Sequence, residues 1–278
     1  MAKTWLVTGC SSGLGKAVAL EALKRGEKVA ATARNPETLR EMEEKYPGQA
    51  LALRLDLEDK ESMEAAVKET CRRLGAIDVL VNNAGHGYRA AVEESEPDQV
   101  AELFQTNFFG PAELIKLVLP GMRERKSGLL VNVTSIGAVR GALGNGYYSA
   151  AKGALELLSE ALAKEVGHLG IQVMLAEPGA LRTGFYDDRL KESKLQIADY
   201  DVLAGSYRKA RTGSRHDQPG SPEMAGKVLV ETILRGDRPF RLLLGSDAVK
   251  AAEQTLEERL QELRDWQDVS RQSDYIEN

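Results

Sequence analysis

Short runs of apolar, often β-branched residues alternate along this chain with longer stretches whose apolar residues recur every three to four positions. The runs Thr4–Thr8, Lys28–Ala33, Ala50–Leu55, Asp78–Asn82, Leu129–Thr134, Ile171–Glu177 and Arg241–Leu244 read as strands. Between them, Leu14–Arg25, Glu37–Lys45, Lys60–Leu74, Pro97–Arg125, Tyr147–His168 and Pro222–Arg235 read as helices, Pro97 suiting a first helical turn. Strand and helix in strict alternation leave few solutions. The expected fold is α/β: a doubly wound parallel sheet of about seven strands with helices on both faces. No internal repeat or low-complexity linker divides the 278 residues, so one domain is expected over 1–278. Two segments break the rhythm. Residues 183–221 are polar with scattered aromatics (Phe185, Tyr186, Tyr200, Tyr207), as in a substrate loop or lid. Residues 247–271 read as a C-terminal helix whose Val249, Ala252, Leu256, Leu260, Leu263 and Trp266 share a stripe. That stripe is expected to dock on the chain's own domain or on a twin subunit.

Composition excludes several functions. Apolar residues make up 42% and charged residues 28%, as in a soluble globular protein. A net charge of −5 offers no nucleic-acid surface. No run reaches the roughly 18 apolar residues of a membrane span, and MAKTWLVTGC is too short for a secretory signal. Cys10 and Cys71 form no paired motif, which fits a reducing, cytoplasmic setting. Asn132-Val133-Thr134 matches a glycosylation pattern but lies in a strand-like apolar run, where it reads as chance. His86, His168 and His216 have no ligand spacing, and no metal is expected.

The turn between the first strand and first helix reads TGCSSGLG, Thr8–Gly15. Gly9, Gly13 and Gly15 permit positive φ and let a phosphate approach the backbone, while the helix that follows offers free N–H groups and the positive end of its dipole. Strand, glycine turn and helix together are the context of a dinucleotide site. In such folds a carboxylate about 20 residues on binds the ribose 2′-hydroxyl of NAD. Here the second strand ends in Ala33 and Arg34 with no acid. A guanidinium pairs with a 2′-phosphate, and Ser12 adds a hydroxyl, so NADP(H) is expected in preference to NAD(H).

Residues 147–152 read YYSAAK. On a helix, residues four apart share a face and residues five apart do not, so Tyr148 and not Tyr147 pairs with Lys152. An ammonium one turn away favours the phenolate of a tyrosine whose ordinary pKa is about 10. Such a pair recurs by chance and needs partners. Ser135 ends the fifth strand, at the sheet edge where ligands bind. Asn107 is an amide in an otherwise apolar helix and must be either a clamp or part of a proton path.

These motifs, with Asp56-Leu57, NNAG at 82–85 and PGALRT at 178–183, follow one another as in the short-chain dehydrogenases/reductases, and the chain resembles a single-domain member closely over residues 4 to about 185. The resemblance implies a Rossmann fold and a role for each matching residue. Tyr148 would be the acid/base. Lys152 would lower its pKa and hold the nicotinamide ribose. Ser135 would hold the substrate oxygen, and Asn107 would keep a water linking Lys152 to solvent. Gly9, Ser11, Ser12, Gly13, Leu14 and Gly15 would cradle the phosphates, with Arg34 on the 2′-phosphate and Asp56 and Leu57 against adenine. Asn83, Ala84 and Gly85 would run beneath the cofactor, and Pro178, Gly179 and Thr183 beside the nicotinamide. Cys10-Ser11-Ser12 with Thr32-Ala33-Arg34 resembles the NADP-preferring branch that contains steroid and retinol dehydrogenases and carbonyl reductases.

The expected activity is hydride transfer between NADP(H) and a small-molecule ketone or secondary alcohol. Ile136, Val139, Ala142, Leu143 and Phe185 make a fairly lipophilic substrate the expectation, while His86 and Tyr88, just after NNAG, read equally as substrate-site lining or as ordinary loop residues. The alternatives are a Tyr/Lys epimerase with a bound nicotinamide and a non-catalytic NADP(H) sensor. A homodimer or homotetramer is expected through helices 97–125 and 147–168, with neither membrane nor nucleic acid as partner.

Overall fold

The computed structural model describes residues 2–186, 190–206 and 217–275. Its centre is a seven-stranded sheet in the order β3-β2-β1-β4-β6-β7-β9, every neighbouring pair parallel. The strands are β1 (Thr4–Val7), β2 (Lys28–Ala33), β3 (Ala50–Arg54), β4 (Val79–Asn82), β6 (Gly128–Val133), β7 (Ile171–Pro178) and β9 (Arg241–Leu244). All seven expected strands are present, with ends moved by a residue or two. The helices are α1 (Gly13–Lys24), α2 (Arg40–Lys45), α3 (Lys60–Leu74), α4 (Pro97–Phe104), α5 (Gly110–Arg125), the short α6 (Ile136–Val139), α7 (Gly146–Val166), α8 (Pro222–Leu234) and α9 (Ser246–Arg271).

Period-two alternation sorts the strand side chains into two cores. Trp5, Val7, Val29, Val79 and Val131 face α1 and α8, where they meet Val18, Ala22, Leu229 and Ile233. Leu6, Ala30, Leu80 and Leu130 face α3, α5 and α7, against Met63, Leu114, Met122 and Leu162. With both faces covered, the free edge of these strands is the carboxyl end. The chain reverses its winding between β1 and β4, and a crevice opens there, as it must at such a switch point.

Several features depart from the sequence expectation. The helix expected over Pro97–Arg125 is interrupted at Gln105–Phe109 by a wider π turn. A second, two-stranded parallel sheet joins β5 (Gly87–Arg89) to β8 (Leu190–Glu192). The stripe on the C-terminal helix is docked only at its start: Ala248 and Ala252 are buried, while Val249, Leu256, Leu260, Leu263 and Trp266 are exposed. The described parts of residues 183–221 include short turns at Gly184–Tyr186, Ala198–Tyr200 and Asp201–Gly205. The segment then returns beside Leu181, where Arg182 N–H donates to Gly220 O at 2.8 Å. Tyr207 and His216 lie outside the described residues. Asn132, of the glycosylation-like triplet, is fully buried and bonded to Ser159 Oγ at 2.8 Å.

Candidate active site

The carboxyl end of β1 is locked to that of β4. Thr8 Oγ1 accepts the N–H groups of Asn83 and Ala84, both at 2.9 Å, and Asn83 Nδ2 donates to Thr8 O at 2.8 Å. The glycine turn is thereby held open over NNAG. Gly9 and Gly13 adopt φ of 73° and 61°, where a side chain would be strained. A Cβ on Gly15 would lie 2.5 Å from Gly9 O. Ser12 stands at the N-cap of α1 and makes no side-chain cap bond, so the first-turn N–H groups face the crevice unsealed by that hydroxyl. These are the requirements of a phosphate cradle, and the residues fit a dinucleotide. Cys10, inside the loop, is inert: burial pushes its thiol up to about 12.

Two cavities continue from the cradle and meet at Gly85. One, about 350 Å³, is lined by Gly9, Ser11, Ala33, Arg34, Asp56, Leu57 and Ala84 at the ends of β1, β2 and β3. Arg34 is exposed at its wall, where Lys191 is paired with Glu102 at 2.5 Å. The other, about 330 Å³, is lined by Ser12, Gly13, Leu14, Asn83, Ser135, Tyr148, Lys152, Pro178, Gly179 and Thr183. Every catalytic and cofactor-binding residue named from the sequence lines one of the two, except Gly15 and Asn107, which lie behind the walls.

The second cavity gathers the reactive groups. Ser135 caps α6, and its Oγ accepts Gly137 N–H at 3.0 Å, leaving the hydroxyl proton for another acceptor. A Cβ built on Gly137 would stand 3.4 Å from Ser135 Oγ and also 3.4 Å from Tyr148 Cε1, so serine and tyrosine flank one small volume that this glycine keeps clear. The Tyr148 ring meets Phe185 edge-on at 5.8 Å. Lys152, four residues on, is buried and donates from Nζ to Val133 O at 2.9 Å. Desolvation lowers its pKa to about 8. Asn107 is carried inward by the π turn. Its Nδ2 donates to His86 O at 2.8 Å and its Oδ1 accepts His86 N–H at 3.2 Å, clamping the backbone after NNAG. A Cβ on Gly85 would overlap Asn107 Oδ1 and lie 3.4 Å from Lys152 Nζ.

Two expected wall residues need correction, and the two open readings after NNAG are decided. His86 lines the Arg34 cavity and not the Ser135 cavity, because the turn after Gly85 sends it to the other side. Tyr88 lines neither: it is buried in a small cluster with Leu103, its hydroxyl accepting Glu96 N–H at 3.0 Å. Val139 and Leu143 are absent from the lining, Leu143 being 54% exposed. Sequence reasoning also missed wall residues. Leu181 and Leu190 join Ile136, Ala142 and Phe185 on the apolar side, while Arg89, Arg140 and Asn145 add polar groups. Asp247, at the start of α9, accepts Ala180 N–H at 2.8 Å and so fixes the turn after Pro178-Gly179.

A phosphate cradle at a switch point, opening onto a buried lysine, a tyrosine and a serine, defines a dinucleotide-dependent oxidoreductase of the Rossmann type. The comparisons with known proteins agree on which one. The family model described as short chain dehydrogenase matches residues 3–194. A short-chain dehydrogenase structure from Streptomyces avermitilis is 41% identical and superposes with a TM-score of 0.91, covering 98% of each chain. Oxidoreductase BOA17 of Botryotinia fuckeliana is 33% identical over 271 residues, 97% of this chain and 98% of its own. A 3-ketodihydrosphingosine reductase of Bacteroides thetaiotaomicron is 37% identical over 241 residues, 86% of this chain and 87% of its own. The chain belongs to the short-chain dehydrogenase/reductase family and is an oxidoreductase. Solved structures of this fold hold NADP in some cases and NAD in others. Among the described residues, no helix is long and apolar enough to cross a membrane.

Proposed function

We propose that this protein is an NADP(H)-dependent carbonyl reductase or secondary-alcohol dehydrogenase. The observation that carries the proposal is the single volume kept clear by Gly137, with Ser135 Oγ on one side, Tyr148 on the other and Lys152 one helical turn behind. A carbonyl oxygen placed there accepts the Ser135 hydroxyl proton as a hydrogen bond and receives a proton from Tyr148 as charge develops on it. Lys152, whose ammonium burial disfavours but leaves charged below about pH 8, stands one turn from Tyr148 on the same face of α7, where positive charge favours a phenolate. Asn107 holds the 85–87 backbone in place so that Gly85 leaves the floor of the crevice free. The nicotinamide supplies the hydride in reduction and accepts it in oxidation. Gly9–Gly15 take the pyrophosphate, Asp56 and Leu57 the adenine, and Pro178, Gly179 and Thr183 the nicotinamide end.

Arg34 supports NADP(H). It is the guanidinium at the wall of the adenine-side cavity, and the Lys191 ammonium there is already engaged by Glu102. Ile136, Leu181, Phe185 and Leu190 favour a ketone with an apolar body, and Arg89, Arg140 and Asn145 favour a polar end. The relative named as a 3-ketodihydrosphingosine reductase has a keto group in its named substrate. We assign the chain to homo-oligomers through the faces that carry Phe109 and Leu157, which are 53% and 68% exposed. The free thiols of Cys10 and Cys71 support the reading of a reducing, cytoplasmic setting.

The test is nicotinamide absorbance with a panel of lipophilic ketones. Wild type should oxidise NADPH. Tyr148→Phe should lose turnover about a thousandfold or more while binding NADPH with nearly unchanged affinity. Binding without turnover in the wild type would identify a sensor, and full activity of Tyr148→Phe would remove the tyrosine as the acid.

A further inference from the structure

Side chains on a strand point alternately to its two faces, and β5 divides its residues that way. Tyr88 turns into the cluster with Leu103. Gly87 and Arg89 take the other face, and both line the cavity that holds Ser135 and Tyr148. A Cβ on Gly87 would stand 2.6 Å from Leu190 Cδ1 and 3.0 Å from Phe185 Cζ, so the missing side chain makes room for the apolar wall. Phe185 in turn meets the Tyr148 ring edge-on. The wall therefore runs from Tyr148 past Phe185 and Gly87 to Arg89, about 7 Å further along the strand. Arg89 is held there from two sides. Its O accepts Ser193 N–H at 3.0 Å, just past β8. The next residue, Ala90, donates to Gly144 O at 3.0 Å and bridges Asn145, three residues before Tyr148.

Arg89 is 2% exposed. Among the described residues that line this cavity, the charged ones are Arg89, Arg140, Lys152 and Asp247. Two of them belong to the reacting end. Lys152 stands one turn behind Tyr148 and donates to Val133 O, and Asp247 accepts Ala180 N–H beside Pro178-Gly179. That leaves two guanidiniums on the substrate side, Arg89 buried in the wall and Arg140 exposed. Glu192, in register with Arg89 on β8, is exposed and does not line the cavity. A cleft walled by one sign of charge concentrates ligands of the other. A guanidinium presents five N–H donors in a planar fork. One that is anchored along part of that fork still has donors for a carboxylate, whose two oxygens match it side by side.

We propose that Arg89 is a specificity residue that binds a carboxylate on the substrate, and that the substrate class is an oxo acid with an apolar middle. The carbonyl lies between Ser135 and Tyr148, the hydrocarbon runs along Ile136, Phe185 and Leu190, and the carboxylate reaches Arg89. Arg140, exposed at the same cavity, draws the anion in. A carboxylate is favoured over the bulkier phosphate because the cavity, about 330 Å³, also takes the nicotinamide end. This substrate class rests on the reductase reading above.

The experiment is NADPH oxidation by the whole protein with matched ketones that differ only in their end group, carboxylate, carboxamide or ammonium, over a series of spacer lengths. At the best spacer, wild type should favour carboxylate over carboxamide by about 30-fold or more in kcat/KM, chiefly through KM, and should turn over the ammonium ketone least. The preference should shrink as salt is added. Arg89→Met should lose most of that factor on the carboxylate ketone and far less on the carboxamide, a split that a merely structural arginine would not produce. Arg89→Lys should recover part of it, keeping the charge without the fork. Equal kcat/KM for carboxylate and carboxamide in wild type at every spacer would overturn the proposal, and this ratio decides even if Arg89→Met does not fold. Equal losses on both ketones in a folded Arg89→Met would overturn it too. If wild type reduces no ketone, the reductase reading falls, and the anion site is then read from binding alone. A straight-chain alkanoate should bind the NADPH complex of wild type about tenfold or more tightly than that of Arg89→Met, and equal affinities would remove Arg89 as its ligand.

Discussion

Lys152→Met should make this protein more stable at neutral pH while abolishing its chemistry. Lys152 is 4% exposed, and its pKa is lowered from 10.5 to about 8 by desolvation alone. In linkage terms the fold disfavours the ammonium. A pKa lowered by about 2.5 units at about 1.4 kcal/mol per unit costs about 3 kcal/mol wherever the lysine is charged in both states, that is, below about pH 8. The cost fades as pH rises from about 8 through 10.5, because the unfolded chain then loses the same proton. Methionine has nearly the same length and no charge to desolvate. Its one liability is Val133 O, which loses the donor now 2.9 Å away, worth about 1 kcal/mol. The balance at neutral pH is about 2 kcal/mol in favour of the variant, or a Tm rise of about 4–8 °C. At pH above about 10 the advantage should vanish. Urea and thermal unfolding should be followed without dinucleotide, since a ligand that binds only the folded state would mask the effect. A variant less stable than wild type at neutral pH, or a stability difference indifferent to pH between about 8 and 10.5, would show that burial of this ammonium is not strained.

Arg34→Asp should shift the kcat/KM ratio toward NADH, because a carboxylate repels a 2′-phosphate and accepts a 2′-hydroxyl; an unchanged ratio would remove Arg34 from cofactor choice. Gly137→Ala should fold normally, since its new methyl meets Ser135 and Tyr148 at ordinary contact distance. It should nonetheless lower ketone kcat/KM about tenfold or more without changing NADPH affinity, and wild-type kinetics would mean the carbonyl binds elsewhere. Gly85→Ala should destabilise the protein by about 1–3 kcal/mol in denaturant melts, because the methyl displaces Asn107 from its clamp. An unchanged midpoint would show that the clamp yields freely.

What the sequence disclosed and what it hid divide along one physical line. Strand, helix and glycine turn are local patterns, so the seven-stranded sheet and the Thr8–Gly15 cradle were legible to within a residue or two. Asn107 announced itself as an amide in an apolar helix, but the π turn that carries it inward was missed although Gly110-Pro111 follow it directly and Pro111 has no N–H to continue the regular ladder. Contacts closed across long separations left no local trace. The β5–β8 pair joins three-residue strands a hundred positions apart. Asp247 fixes the Ala180 turn from the start of α9, 67 residues on, and Glu177 reads in sequence as an ordinary strand-end acid. Tyr88 and His86 stayed open between two readings because the direction of a side chain after a tight turn depends on the clamp beneath it, here Asn107 on His86.

The buried polar residues of this protein are not scattered. Thr8, Asn82, Asn132, Thr134 and Glu177 sit at or near the carboxyl ends of four strands, and Asn107, Lys152, Glu156 and Ser159 descend onto them from the helices. They are joined to one another and to the backbone: Asn82 to Asn132 at 2.9 Å, Asn132 to Ser159, Thr134 to Glu156, Lys152 to Val133 O. Apolar side chains of the same volume would be cheaper to bury. Asn82 Oδ1 and Glu177 Oε1 accept no hydrogen bond within the described residues, but the bonds that are made each have a direction as well as a length, so the layer has fewer ways to shift than an apolar one. The layer lies directly under Ser135, Tyr148 and the Pro178-Gly179 turn, where a misplacement of about 1 Å can cost a hundredfold in rate. The protein therefore accepts the strain of a desolvated ammonium where direction matters most. Lys152→Met should release that strain as stability while ending turnover, so the variant separates what the layer costs from what it does.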